Sequence, residues 1–153
     1  MTAGLAVFDT TIQETNTFLN LVRAQLPPCD QQQAYAATRA VLHTLRDRLP
    51  LAVVMGLSAQ LPMLMRGFFL EGWRPGQDPS DARDLQTFAK AVEQQLPPFF
   101  PREPAAAVEA VFSVLGQRLA PGQSDKIAGS LPERLRRVWL DAQRAAGPGA
   151  AVS

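Results

Sequence analysis

The chain has 153 residues, and its 46% hydrophobic against 19% charged content describes a globular rather than a disordered protein. One domain of this size is expected, burying about 70% of its unfolded surface. The formal net charge of +1 supplies no long-range field for nucleic acid, and a single cysteine, Cys29, with a single histidine, His43, excludes an internal disulfide and a Cys/His zinc tetrad.

In chain order, the opening MTAGLAVFDTT lacks the basic and long apolar regions of a signal peptide, which with the lone cysteine leads us to expect a cytoplasmic protein. Thr11 and Glu14 have capping-box spacing, so a first helix is expected from Asp9 to about Gln25, with Ile12, Thr15, Phe18, Leu19 and Val22 at helical intervals. Pro27-Pro28 end it, because two prolines in succession supply no N–H. Asp30 with Gln33 restarts a second helix by the same capping logic. That helix carries Ala34, Ala37, Val41 and Leu45 on one face and a stripe of Tyr35, Arg39, His43 and Arg46 on another.

Leu49 to Trp73 is the most apolar stretch, but Pro50, Gly56, Gln60, Pro62 and Arg66 interrupt it well short of the roughly 20 apolar residues a membrane span needs. It predicts two short buried helices divided at Leu61-Pro62, and no membrane partner. Gly72 to Ser80 reads as a surface connection, after which Asp81 or Asp84 caps a helix with Leu85, Phe88, Ala89 and Val92 on its buried side. Pro97, Pro98 and Pro101 break the chain again, and Pro104 suits the first turn of a helix running to Leu119. A short helix bearing Ile127 follows Pro121-Gly122. Pro132 starts the last, from Glu133 to about Arg144, leaving residues 145–153 as a flexible tail.

Counterparts recur 70 positions apart: Phe18 and Phe88, Leu26-Pro27-Pro28 and Leu96-Pro97-Pro98, Val41 and Val111, Leu61-Pro62 and Leu131-Pro132, Arg66 and Arg136. Apolar residues and prolines fix packing and turns, so the pattern predicts two tandem four-helix repeats, 9–73 and 81–144, joined in an all-α bundle of about eight helices. What differs between them is where an activity would settle. Tyr35, Arg39, His43 and Arg46 face Ala105, Glu109, Ser113 and Gly116 in the alignment, and Glu71 and Trp73 face Asp141 and Gln143.

The segments FDTTIQET, TRAVLHTLRDRLP, AQLPMLMRGFFLEGWRP and LPERLRRVW agree in order and spacing with the bacterial family called domain of unknown function 2267, which the chain resembles from Phe8 to Trp139. The resemblance implies an all-helical, soluble bacterial protein and carries over no reaction or catalytic residue. The break PPFFPREP is bulkier than that family leads us to expect, and its Phe99-Phe100 is a candidate contact surface.

Among possible chemical groups, His43 has Arg39 four residues before it and Asp47 four after, but no serine, cysteine or metal partner at a diagnostic spacing. Cys29 has no CxxC partner. Arg66 and Arg136, at matched places on apolar helices, are assigned to helix-end carbonyls or to a carboxylate such as Glu71 or Asp141. Trp73 and Glu71 are candidates for a pocket mouth beside Arg74, against the alternative that an aromatic ending a helix covers the core edge. Asp78, Asp81 and Asp84 lack calcium-loop order, and the Arg134, Arg136, Arg137 and Arg144 cluster reads as a solvated face.

These features predict a non-enzymatic binding or interaction module without a cofactor. Its contact face, formed by the Tyr35, Arg39, His43 and Arg46 stripe or by Phe99-Phe100, would meet a protein partner or a second copy. The alternative is a small-molecule pocket between the repeats lined by Met55, Met63, Met65, Phe68, Phe69 and Trp73, with Arg66 or His43 fixing an anionic group. A hydrolase using His43 ranks third.

Overall fold

A computed structural model describes residues 4–145, all of whose regular structure is helical. The helices are α1 (Ala6–Ala24), α2 (Gln31–Arg48), α3 (Leu51–Gln60), α4 (Met63–Leu70), α5 (Leu85–Glu93), α6 (Pro104–Arg118), α7 (Pro121–Ser130) and α8 (Glu133–Ala145). Of the expected tail, Ala145 instead closes α8 and the rest lies outside the described residues.

Local chemistry sets most boundaries. Asp30 accepts the Gln33 N–H at 2.8 Å while the Gln33 side chain accepts the Asp30 N–H at 2.9 Å, the reciprocal cap expected for α2. Asp84, rather than Asp81, caps α5 together with Thr87. Pro104 and Pro121 stand in the first turns of α6 and α7.

The start of α1 differs from expectation. The helix begins at Ala6 after Leu5, which makes no side-chain cap, so Thr11 lies well inside it. The Thr11 hydroxyl accepts the Leu64 N–H at 2.8 Å and thereby caps α4, whose own N-cap, Pro62, has no side-chain acceptor.

Helices α2 and α6 form the centre and pack on each other. Around them α1 and α4 pack on α2, α5 and α8 pack on α6, and α3 meets α7. The middles of the central helices are buried almost all round, from Ala37 to Arg46 and from Ala107 to Leu115 apart from a few positions. One contiguous buried cluster draws side chains from all eight helices, among them Phe18, Leu42, Leu57, Met65, Phe88, Phe112, Ile127 and Trp139. Phe88, Phe112 and Trp139 form an edge-to-face ladder with centroids 5.5 and 5.0 Å apart.

The two helical corners are closed alike. Arg66 Nε donates to the Ser58 carbonyl at 3.0 Å and Nη2 reaches Leu61 O at 3.5 Å; Arg136 Nε donates to Ala128 O at 2.8 Å and Nη2 to Leu131 O at 3.0 Å. These carbonyls lie at the C-terminal ends of α3 and α7, where the helix leaves acceptors without partners. Neither arginine is ion-paired to Glu71 or Asp141; those carboxylates pair with Arg39 and Arg144. The connection from Gly72 to Ser80 is exposed as expected, and it is pinned to the end of α2 by Ser80 N–H to Asp47 O and by Arg48 Nε to Ala82 O, both at 2.9 Å.

Candidate functional site

The α2 stripe runs along the end of α4. Because α4 stops at Leu70 and Gly72 takes φ +72°, the last α4 carbonyls have no partner within the helix. The α2 side chains supply donors. Arg46 Nη1 donates to Phe69 O at 2.9 Å and Glu71 O at 2.8 Å, with Nε on Asp47 Oδ1 at 2.9 Å. His43 Nε2 lies 2.6 Å from Phe68 O; a carbonyl only accepts, so this nitrogen carries the hydrogen. The Arg46 cation at this helix C-terminus also opposes its negative dipole end.

This corrects the stripe as a free contact face. Arg46 and His43 are each only 6% exposed and are spent on α4, because the helix end needs donors more than the surface supplies them. Desolvation by burial pushes the His43 imidazole below its ordinary value; neighbouring Arg46 and Arg39 act in the same direction, against the Phe68 bond and Asp47. A neutral ring bonded to a carbonyl is a structural donor. Burial likewise pushes the Cys29 thiol up, although Arg102 opposes this, so the thiolate a nucleophile requires is disfavoured.

Tyr35, Arg39 and Glu71 stay at the surface. Tyr35 meets Phe68 edge-on with centroids 5.2 Å apart. Arg39 Nη2 donates to Glu71 Oε1 at 2.7 Å, which holds the Glu71 carboxyl below the usual carboxylate range. Trp73 is half-buried at the core edge and shares a cavity of about 460 Å³ with Asp47 and Arg74, while Glu71 faces a different opening.

That opening is a groove of about 850 Å³ between α1 and α4 with α2 at its back. Phe8 and Ile12 from α1 and Met63 and Leu64 from α4 line it, each about half exposed, together with Leu19, Phe68 and Tyr35. The methionine-lined pocket expected between the halves is not how these residues are used. Met65 and Phe69 are wholly buried, Met55 stands exposed on α3, and Met63 and Phe68 belong to this groove inside the first half. Phe8, Ile12, Leu19 and Leu64 are not among the site residues read from the sequence: Ile12, Leu19 and Leu64 fall on apolar helices that read as core, and Phe8 lies ahead of the helix start expected at Asp9. Their signal lay in the 70-residue comparison, where Met63, Leu64 and Gly67 face Glu133, Arg134 and Arg137. The second candidate surface is divided: Phe99 is 98% exposed at φ +63°, whereas Phe100 packs against the core.

A family model described as "uncharacterized conserved protein (DUF2267)" matches residues 15–138 and again 100–152. The chain belongs to this family. No curated protein matches the chain. The family description carries no reaction, so for this DUF2267 member the chemistry must be argued from its own side chains. Among the described residues no helix is long and apolar enough to cross a membrane, and no three or more His, Cys, Asp or Glu side chains are grouped to hold a metal ion.

Proposed function

We propose that this DUF2267 protein is a non-enzymatic binding module, built from two versions of one helical quartet, whose contact surface is the α1–α4 groove. The observation that carries the reading is a trough lined by large, half-exposed apolar side chains, Phe8, Ile12, Met63 and Leu64, where the corresponding hollow of about 550 Å³ in the second half is lined by Leu85, Ala89 and Ala105 with Lys90, Glu93 and Glu103. At the aligned positions the second half has Glu133, Arg134 and Arg137, and it has the connection Gly76–Asp84 where α1 has its first turns. A concave, mostly apolar opening with a few polar groups at its end is the usual form of a small-molecule site. The engagement of His43 with a backbone carbonyl and the burial of Cys29 support binding over turnover.

Transplanting the second half's residues tests this. Met63→Glu, Leu64→Arg and Gly67→Arg together should leave the helical circular dichroism unchanged, because residues 63 and 64 are about half exposed and a Cβ at Gly67 meets nothing within 4 Å. The wild type should enhance the fluorescence of the neutral apolar dye N-phenyl-1-naphthylamine, and the triple variant should not. Equal enhancement by both proteins would place dye binding elsewhere and overturn the reading.

A further inference from the structure

We propose that the α1–α4 groove holds a single-chain amphiphile with a zwitterionic head group, its chain between Ile12 and Leu64 and its head at the Arg39–Glu71 pair. The proposal rests on the groove being the binding surface and adds what occupies it.

The observation that carries it is the charge at the groove's end. Glu71 is the one charged residue among the groove's lining, and Arg39 is bound to its Oε1 through a single nitrogen, with side-chain exposures of 63% and 36%. The remaining carboxylate oxygen and guanidinium N–H groups have no hydrogen-bond partner among the described residues, so the groove ends on the negative charge of Glu71 with the positive charge of Arg39 bound just outside its lining. A simple anion is attracted by one and repelled by the other, as is a simple cation. A head carrying both charges sets each against its opposite.

At the positions aligned with Arg39 and Glu71 the second half has Glu109 and Asp141, and Asp141 pairs with Arg144, so the pair there lies within α8 rather than bridging the inner and outer helices.

The test uses three twelve-carbon probes below their micelle concentrations: dodecylphosphocholine, dodecanoate and dodecylammonium, each displacing N-phenyl-1-naphthylamine from the full chain. Dodecylphosphocholine should bind about tenfold tighter than the other two, the scale of one charge-assisted hydrogen bond. Arg39→Ala should lower its affinity about tenfold and raise that of dodecylammonium, whereas Glu71→Gln should lower it and raise that of dodecanoate. Thermal melts of both variants check folding, and the crossed changes are ones that general loosening would not produce. Equal affinity for the three heads, or no crossing in the variants, overturns the head-group assignment while the groove reading stands if the triple variant still loses the dye. Retention of dye by the triple variant overturns the groove itself. Sedimentation with phosphatidylcholine vesicles without displacement by monomeric probe overturns the proposal in favour of a bilayer surface.

Discussion

In the two parts of the chain an inner and an outer helix are joined by side-chain bonds to carbonyls that run in opposite directions. In the first, the inner helix α2 reaches outward, and Arg46 and His43 take the carbonyls at the end of α4. In the second, the outer helix reaches inward: α8 runs on to Ala145 and sends Gln143 Nε2 back to Phe112 O in α6 at 2.8 Å. Gly116 stands where the first half has Arg46, and a Cβ there would fall 1.2 Å from the Gln143 oxygen, so its absence is what admits the glutamine. The physical reason is helix length. A helix that stops at Leu70 leaves acceptors that need outside donors, and one that continues satisfies the corresponding carbonyls itself. Early termination also places Glu71 beside the groove, whereas the smaller hollow of the second half is edged by Lys90, Glu93 and Glu103.

The comparison breaks most severely at Arg46. Arg46→Ala should destabilise the fold by about 3 kcal/mol, since two carbonyls lose a charged donor at about 1.5 kcal/mol or more each. Urea unfolding measures it. Arg46→Lys should recover only part of the loss, because an ammonium lacks the planar fork that spans two carbonyls and Asp47 together. Full recovery by lysine would mean that charge alone, not geometry, holds the joint.

His43 gives the first half a dependence on pH that Ser113 cannot give the second. Its folded pKa lies below the ordinary 6.5, so the unfolded chain binds a proton that the folded chain resists. The stability contribution is therefore present above pH 6.5 and is lost as pH falls below it, until the folded pKa is reached. Urea midpoints at about pH 7.5 and about pH 5.5 should differ less in His43→Gln than in the wild type, since glutamine donates to Phe68 O without titrating. An unchanged difference would assign the slope to other groups.

Thr38 is fully buried with an unpartnered hydroxyl where the second half has Val108. Thr38→Val should stabilise the chain by about 1 kcal/mol, seen as a raised melting temperature. The smallest effect is at Gly116. Gly116→Ala alone should be close to neutral, the gain in helix propensity of about 1 kcal/mol offsetting the displaced Gln143 bond, whereas in a Gln143→Ala background it should stabilise by that amount. Additivity of the two changes would show that Gln143 does not occupy the space beside Gly116.

The legible parts of this protein are those written in neighbouring residues. Asp30 with Gln33, Leu61-Pro62, Leu131-Pro132 and Pro104 mark helix ends through bonds made or denied within a turn or two, and the helices begin and end there. The same local logic misassigned Thr11: its spacing from Glu14 suits a cap, but the acceptor serves Leu64 across the molecule. Periodicity grouped Tyr35, Arg39, His43 and Arg46 on one face, yet carbonyl acceptors carry no sequence signature, so nothing in the chain told that two of the four would be consumed by α4.

Sequence by itself therefore determined an all-helical chain and most of its proline and capping boundaries, the start of α1 excepted, because each depends on contacts a few residues apart. Tertiary structure alone decided which polar side chains point inward and which apolar ones stay in water. Helical spacing fixes which residues share a face, but the element that covers that face is chosen by contacts between distant parts of the chain. Ile12 and Leu64 look like core in the sequence and, with Phe8, become a groove because α1 and α4 stand side by side with nothing described above them.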